Sequence, residues 1–174
     1  MNRIKKLVAG VLLSMILGTS ANAWLIDGED YILLNGGAGL GKIKDETISS
    51  QFVAFELGRN FTRDWYGSLV AEYSVYSIET DNNSNLTFGT RSGSIALKVG
   101  FRPTKHTLVY ALGGMAGDEK LFGPVFGAGY RWDVFRNLGI FTEISRTSIA
   151  SSSVTDDSYV VNSGRIGLQL FLRY

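Results

Sequence analysis

From residue 31 onward the chain alternates between apolar and polar positions with a period of two, and no stretch carries the 3.6-residue period of an amphipathic helix. The last segment shows it best. Ile166, Leu168, Leu170, Leu172 and Tyr174 share one face of a strand, while Arg165, Gly167, Gln169, Phe171 and Arg173 share the other. Eight such segments are predicted as strands: Tyr31 to Lys42, Gln51 to Phe61, Trp65 to Ile78, Ser92 to Arg102, Thr107 to Gly117, Leu121 to Asp133, Leu138 to Ser148 and Ser163 to Tyr174. At about 3.3 Å per residue and a tilt near 40°, strands of this length cover the roughly 25 Å apolar band of a membrane barrel. Ordinary strands average about half as long.

The connections alternate too. Thr62 to Asp64, Pro103 to His106 and Val134 to Asn137 read as tight turns, whereas Ile43 to Ser50, Glu79 to Arg91 and Ile149 to Asn162 read as longer polar loops. Asp118 to Lys120 is a short link where a further long loop is expected. Short turns on one side and long loops on the other is the periplasmic against extracellular asymmetry of bacterial outer-membrane barrels.

The two faces separate chemically. Val53, Phe55 and Leu57 are expected toward lipid, with Leu69, Ala71 and Tyr73; Ile95, Leu97, Val99 and Phe101; Leu108, Tyr110 and Leu112; Phe122, Phe126 and Tyr130; and Ile140, Thr142 and Ile144. Charge falls on the opposite face, at Glu56, Glu72, Lys98, Arg131, Glu143, Arg165 and Arg173. A lipocalin-type barrel would invert this, with an apolar inside and a polar outside. Phe61, Trp65, Phe101, Tyr110, Tyr130, Trp132 and Tyr174 collect at the short-turn end, where amphipathic rings favour the headgroup level and form a girdle.

The amino terminus adds a compartment. Arg3, Lys5 and Lys6 precede an apolar run from Leu7 to Leu17 and then Thr-Ser-Ala-Asn-Ala, the pattern of a secretory signal peptide cleaved after Ala23. Residues 1–23 are thus expected to be removed, leaving residues 24–174 as one domain. The apolar run falls short of the roughly 18 residues of a membrane-crossing helix. The leader holds three of the 17 Lys and Arg residues and none of the 16 Asp and Glu, so the mature charge is 14 minus 16, or −2. That balance gives no reason to expect a nucleic-acid partner. Cysteine is absent, which excludes disulfides, thiolate metal sites and cysteine nucleophiles.

Together these features make the chain resemble the small outer-membrane β-barrels: the OmpA transmembrane domain, OmpX and the opacity-type surface proteins. The resemblance covers the mature chain and rests on the leader, the eight amphipathic strands, the outer loops and the closing LQLFLRY. It implies an all-β, eight-stranded antiparallel up-and-down barrel in the outer membrane. The implied partners are membrane lipid and lipopolysaccharide, with the barrel-assembly machinery reading the terminal aromatic strand. A monomer without cofactor or metal is expected. Such families include adhesins, membrane-stabilising proteins, narrow channels and a few lipid A-modifying enzymes, among which fold does not choose.

Gly36 to Lys42 fits GxxxxGK, but Ile43 stands where a phosphate-binding loop needs Ser or Thr, and KDETISS opens no amphipathic helix. Those glycines read better as bends or as room for bulky lumen neighbours. Glu56 is expected almost opposite Glu72 with Lys98 between them, and Arg131, Glu143 and Arg165 on consecutive strands as a second cluster. Such clusters plug a barrel just wide enough for side chains, or line a gated pore. Paired carboxylates could also serve glycosidase chemistry, but a plugged lumen admits no substrate. Lipid A deacylase and palmitoyltransferase barrels use a histidine and a serine near the outer rim, whereas the sole histidine, His106, falls in a short turn. A non-enzymatic surface protein is therefore expected, maintaining the membrane or adhering to an external or host ligand through its loops, with a narrow ion or solute channel as the alternative and a lipid A-modifying enzyme as a weaker one. Loop recognition would fall to Thr80, Asp81, Asn82, Asn83, Asn85, Phe88, Asp156, Asp157 and Tyr159.

Overall fold

A computed structural model describes residues 30–43, 46–78, 91–117, 121–151 and 159–173. They form eight antiparallel strands: β1 (Asp30–Ile43), β2 (Glu46–Asn60), β3 (Trp65–Ile78), β4 (Arg91–Thr104), β5 (Thr107–Gly117), β6 (Leu121–Phe135), β7 (Leu138–Ser151) and β8 (Tyr159–Arg173). Each strand pairs with the next, and β8 returns to β1 from Tyr31↔Arg173 to Ile43↔Val161, so the sheet closes without an edge. Closure pairs the backbone internally, which hydrocarbon requires. The leader, the outer-loop residues 80–83, 85, 88, 156 and 157, and Tyr174 lie outside the described residues.

The alternation read from the sequence sorts the faces. Leu40, Val53, Leu97, Val99, Phe126, Ile144, Ile166 and Leu168 stand exposed on the outside, whereas Glu56, Lys98, Arg131, Glu143 and Gln169 are buried inside. An apolar exterior around a charged interior is the arrangement of a barrel in lipid. The interior is not purely polar. Leu33, Phe52, Val70, Leu112, Phe141 and Phe171 are buried among the charges.

Two expectations are corrected. Ile43 to Ser50 is not a loop, because β2 starts at Glu46 and Ile43 pairs with it. Thr47 is exposed and Ile48 buried, so the alternation continues above the apolar band, where an outward position no longer has to be apolar. β7 and β8 extend in the same way, to Ser151 and from Tyr159. The second correction is β5, whose faces are reversed. Leu108, Tyr110 and Leu112 are buried in the lumen, and Val109 and Met115 face outward. Both faces of this strand are apolar, so bulk is no guide to direction, and register decides. Tyr110 sits between Gly100 and Gly129. A Cβ on Gly129 would lie 2.4 Å from the Tyr110 ring, so glycine opposite makes the room that this side chain occupies.

At the short-turn end Phe61, Trp65, Phe101, Tyr130 and Trp132 are exposed on the outer wall, with the Trp65 and Phe101 rings 5.6 Å apart. Phe61 covers the outward Gly67, where a Cβ would meet the ring at 2.4 Å, a ring over a bare glycine that restores its missing packing. Tyr110 does not belong to this girdle.

Candidate functional site: the charge network in the lumen

Glu56 of β2 is 1% exposed. Its Oε1 accepts from the Tyr66 hydroxyl at 2.9 Å and the Ser68 hydroxyl at 2.6 Å. Its Oε2 accepts from Asn35 Nδ2 at 2.8 Å, Gln169 Nε2 at 3.0 Å and Lys98 Nζ at 3.2 Å. Five donors from four other strands converge because every inward position, two residues apart along each strand, meets its counterparts across a narrow lumen. A buried carboxylate needs this number of partners to offset its desolvation.

A second layer lies toward the long loops. Arg165 of β8 pairs in register with Glu143 of β7 and donates to it through Nε at 2.7 Å and through Nη2. Its Nη1 reaches across the lumen to both oxygens of Glu72, at 2.6 and 2.7 Å. Tyr110 donates to Glu143 at 2.9 Å, and Ser74 to Glu72 at 2.7 Å. Lys98 joins the layers, 3.8 Å from Glu143 Oε2 and over the Tyr110 ring at 4.7 Å. The Arg165 guanidinium also stacks on Phe52 at 4.9 Å. A Cβ on Gly39 would lie 2.9 Å from the Arg165 stem, so one member of the glycine run in β1 clears the way for this arginine.

Toward the short turns Arg131 lies between the Tyr66 and Phe171 rings, at 5.3 and 4.9 Å, and donates to Gln169 at 2.9 Å. Its Nε is 2.9 Å from Asp133 Oδ1, a close charge contact whose angle is wrong for a hydrogen bond. Arg102 donates to the other Asp133 oxygen at 3.1 Å.

The groups divide differently from the sequence expectation. Glu56 pairs in register with Val70, and Glu72 with Ala54. The two carboxylates are therefore offset along the hairpin, and Glu72 meets Arg165 rather than sharing Lys98. Arg131 pairs with Phe141 and lies one layer away from Glu143 and Arg165, because the stagger of a closed barrel moves equal sequence positions to different heights. Arg173 pairs through its backbone with Tyr31, while its side chain lies outside the described residues. The sequence reading missed Asn35, Tyr66, Ser68 and Asp133; Tyr66 and Ser68 share the parity of Glu72 on β3 and Asp133 that of Arg131 on β6, whereas β1 carries no inward charge to mark Asn35. For the other three, parity was the available signal.

Four carboxylates, Glu56, Glu72, Glu143 and Asp133, thus face four cations, Lys98, Arg102, Arg131 and Arg165, in a neutral plug. Above it, six serines (50, 74, 92, 94, 145 and 163) help to line a recess of about 50 Å³, room for a few waters and nothing larger. Among the described residues no cluster of His, Asp and Glu could hold a metal ion. His106 lies exposed in the 105–106 turn, where its carbonyl accepts from the Asp133 N–H at 2.7 Å.

No protein-family model matches the chain, and no curated protein matches it in sequence. Solved structures do match its fold. Ail, the attachment invasion locus protein of Yersinia pestis, superposes with a TM-score of 0.52 at 16% identity, over 83% of this chain and 99% of Ail. Ail bound to the heparin analogue sucrose octasulfate gives 0.51 at 15% identity, over 84% and 100%. Neisserial surface protein A gives 0.53 at 11% identity, over 83% and 97%. The chain has the fold of a small outer-membrane β-barrel.

Proposed function

We propose that this protein is a non-enzymatic surface protein of the bacterial outer membrane, which stabilises the membrane through its barrel and meets external partners through its outer loops. The observation that carries this reading is the saturated plug. Glu56, Glu72 and Glu143 each already accept from at least two donors, so among the described residues no lumen glutamate is left free as acid or base, which favours the loops and the outer wall as the functional surfaces.

The loop composition bears on the partner. Residues 44–45, 79–90, 118–120 and 152–158 hold seven acidic residues and two lysines, a charge of −5. Ail was solved with a polysulfated ligand, but acidic loops repel sulfate and favour a neutral or cationic surface. The test is adhesion of cells displaying the protein, to surfaces coated with basic or with sulfated polymers. The expected result is retention on the basic surface that is lost on deleting Thr80 to Asn85, with the barrel still folded. Equal retention with and without that segment, or a preference for the sulfated surface, would overturn the loop assignment.

A narrow channel is the second reading, favoured by the hydroxyl-lined recess that ends on Arg165 and Glu72. It requires the Arg165 bridge to open.

A further inference from the structure

Outside the barrel, one row of outward positions crosses five strands: Thr47, Lys42, Asn162, Arg146 and Phe126, each paired with the next. The row below it reads Ser49, Leu40, Gly164, Ile144 and Ala128. Lys42 and Arg146 are exposed, and among the described residues neither pairs with a carboxylate. They stand where the apolar wall ends, at the long-loop side. Beneath them Leu40 and Ile144 are 65% and 69% exposed, and a Cβ on Gly164 would meet nothing within 4 Å. Two clefts run down the wall on either side of Leu40, and both touch Gly164.

We propose that this surface binds one phosphorylated glycolipid of the outer leaflet, its phosphate between Lys42 and Arg146 and an acyl chain in the notch at Gly164. The cations lie two strands apart, about 10 Å between backbones, a span that two long side chains can close on one phosphate. Arginine offers a planar fork and lysine a point charge, both suited to phosphate oxygens. The cations stand on the wall, whereas the segments that join the strands at this end are acidic in sequence, so positive charge belongs to the wall rather than to the loops. Thr47 and Asn162 add neutral hydrogen-bonding groups in the same row, and Ser49 one in the row below, which suit a sugar headgroup better than a glycerol one. The notch completes the site, since a bare glycine with nothing within 4 Å of an added Cβ, set between two exposed aliphatic side chains, leaves a groove in the wall.

The proposal rests on the membrane placement of the barrel and not on the loop assignment. The refolded protein in zwitterionic micelles is titrated with bis-phosphorylated lipid A, with the same lipid dephosphorylated, with phosphatidylglycerol and with inorganic phosphate, and bound lipid is counted by native mass spectrometry. One bis-phosphorylated lipid A per barrel is expected, bound at least tenfold more tightly than the other three. Charge-assisted contacts of this kind are each worth about tenfold or more in affinity. K42Q and R146Q should each weaken binding about tenfold, and Gly164→Leu should weaken it with the charge unchanged. Equal binding of dephosphorylated lipid A, of phosphatidylglycerol or of phosphate, or unchanged binding in these variants, would overturn the site. Insertion into vesicles and heat-modifiable gel migration are scored in parallel. A barrel that inserts but does not discriminate refutes only the site, whereas one that does not insert refutes the membrane placement.

Discussion

Replacing Arg165 by methionine tests the plug where its charges are most concentrated. The substitution keeps an apolar side chain of similar reach and removes the guanidinium that bridges Glu72 and Glu143 and stacks on Phe52. Glu143 retains Tyr110 at 2.9 Å and Lys98 at 3.8 Å. Glu72 retains the Ser74 hydroxyl at 2.7 Å and, among the described residues, is left without a cation within salt-bridge distance. Stranding a buried carboxylate in this way costs about 3 to 5 kcal/mol, and most of that cost falls on Glu72. Adding Glu72→Gln to Arg165→Met should therefore recover about half of the loss, because the stranded charge is gone. Urea unfolding in lipid vesicles reports both, followed by the fluorescence of Trp65 and Trp132, which are exposed on the outer wall. A single variant within about 1 kcal/mol of wild type, or a double variant no more stable than the single, would refute the argument.

Gly58→Ala should cost about 1 to 3 kcal/mol by overpacking, since its Cβ would lie 1.9 Å from the Tyr66 hydroxyl, itself held by Glu56. Gly164→Ala, facing open space, should stay within about 0.5 kcal/mol; the same urea titration reads both, and similar losses would contradict the packing. Tyr110→Phe should cost about 1 to 3 kcal/mol by leaving Glu143 one donor short. A neutral result in that titration would return Tyr110 to the lipid face.

The architecture was legible in the sequence because a membrane barrel writes its two solvents into alternate residues. β8 shows why: lipid demands Ile166, Leu168, Leu170 and Leu172, and the lumen demands Arg165 and Gln169. Where only one of those demands acts, the reading weakens. β5 is apolar on both faces and was turned inside out. From Thr47 to Ser50 the outward positions are polar, so this segment reads as a loop although it is strand. The charged lumen positions could be named from parity, but their partners could not. Height in a closed barrel depends on stagger, and an offset of one inward position moved Glu72 from Lys98 to Arg165. The neutral donors around Glu56 were invisible for another reason. Asn35, Ser68 and Tyr66 are common residues whose meaning comes only from the carboxylate that they reach across the lumen.

A neutral plug that seals the barrel leaves no path for ions, and single-channel recording of the refolded protein in planar bilayers measures this. Folding is confirmed by heat-modifiable migration, and Arg165→Ala is recorded alongside. A silent bilayer for the wild-type protein, with discrete openings only when Arg165 is removed, is the predicted result. Regular openings of the wild-type protein would contradict the sealed lumen and make the charge network a gate.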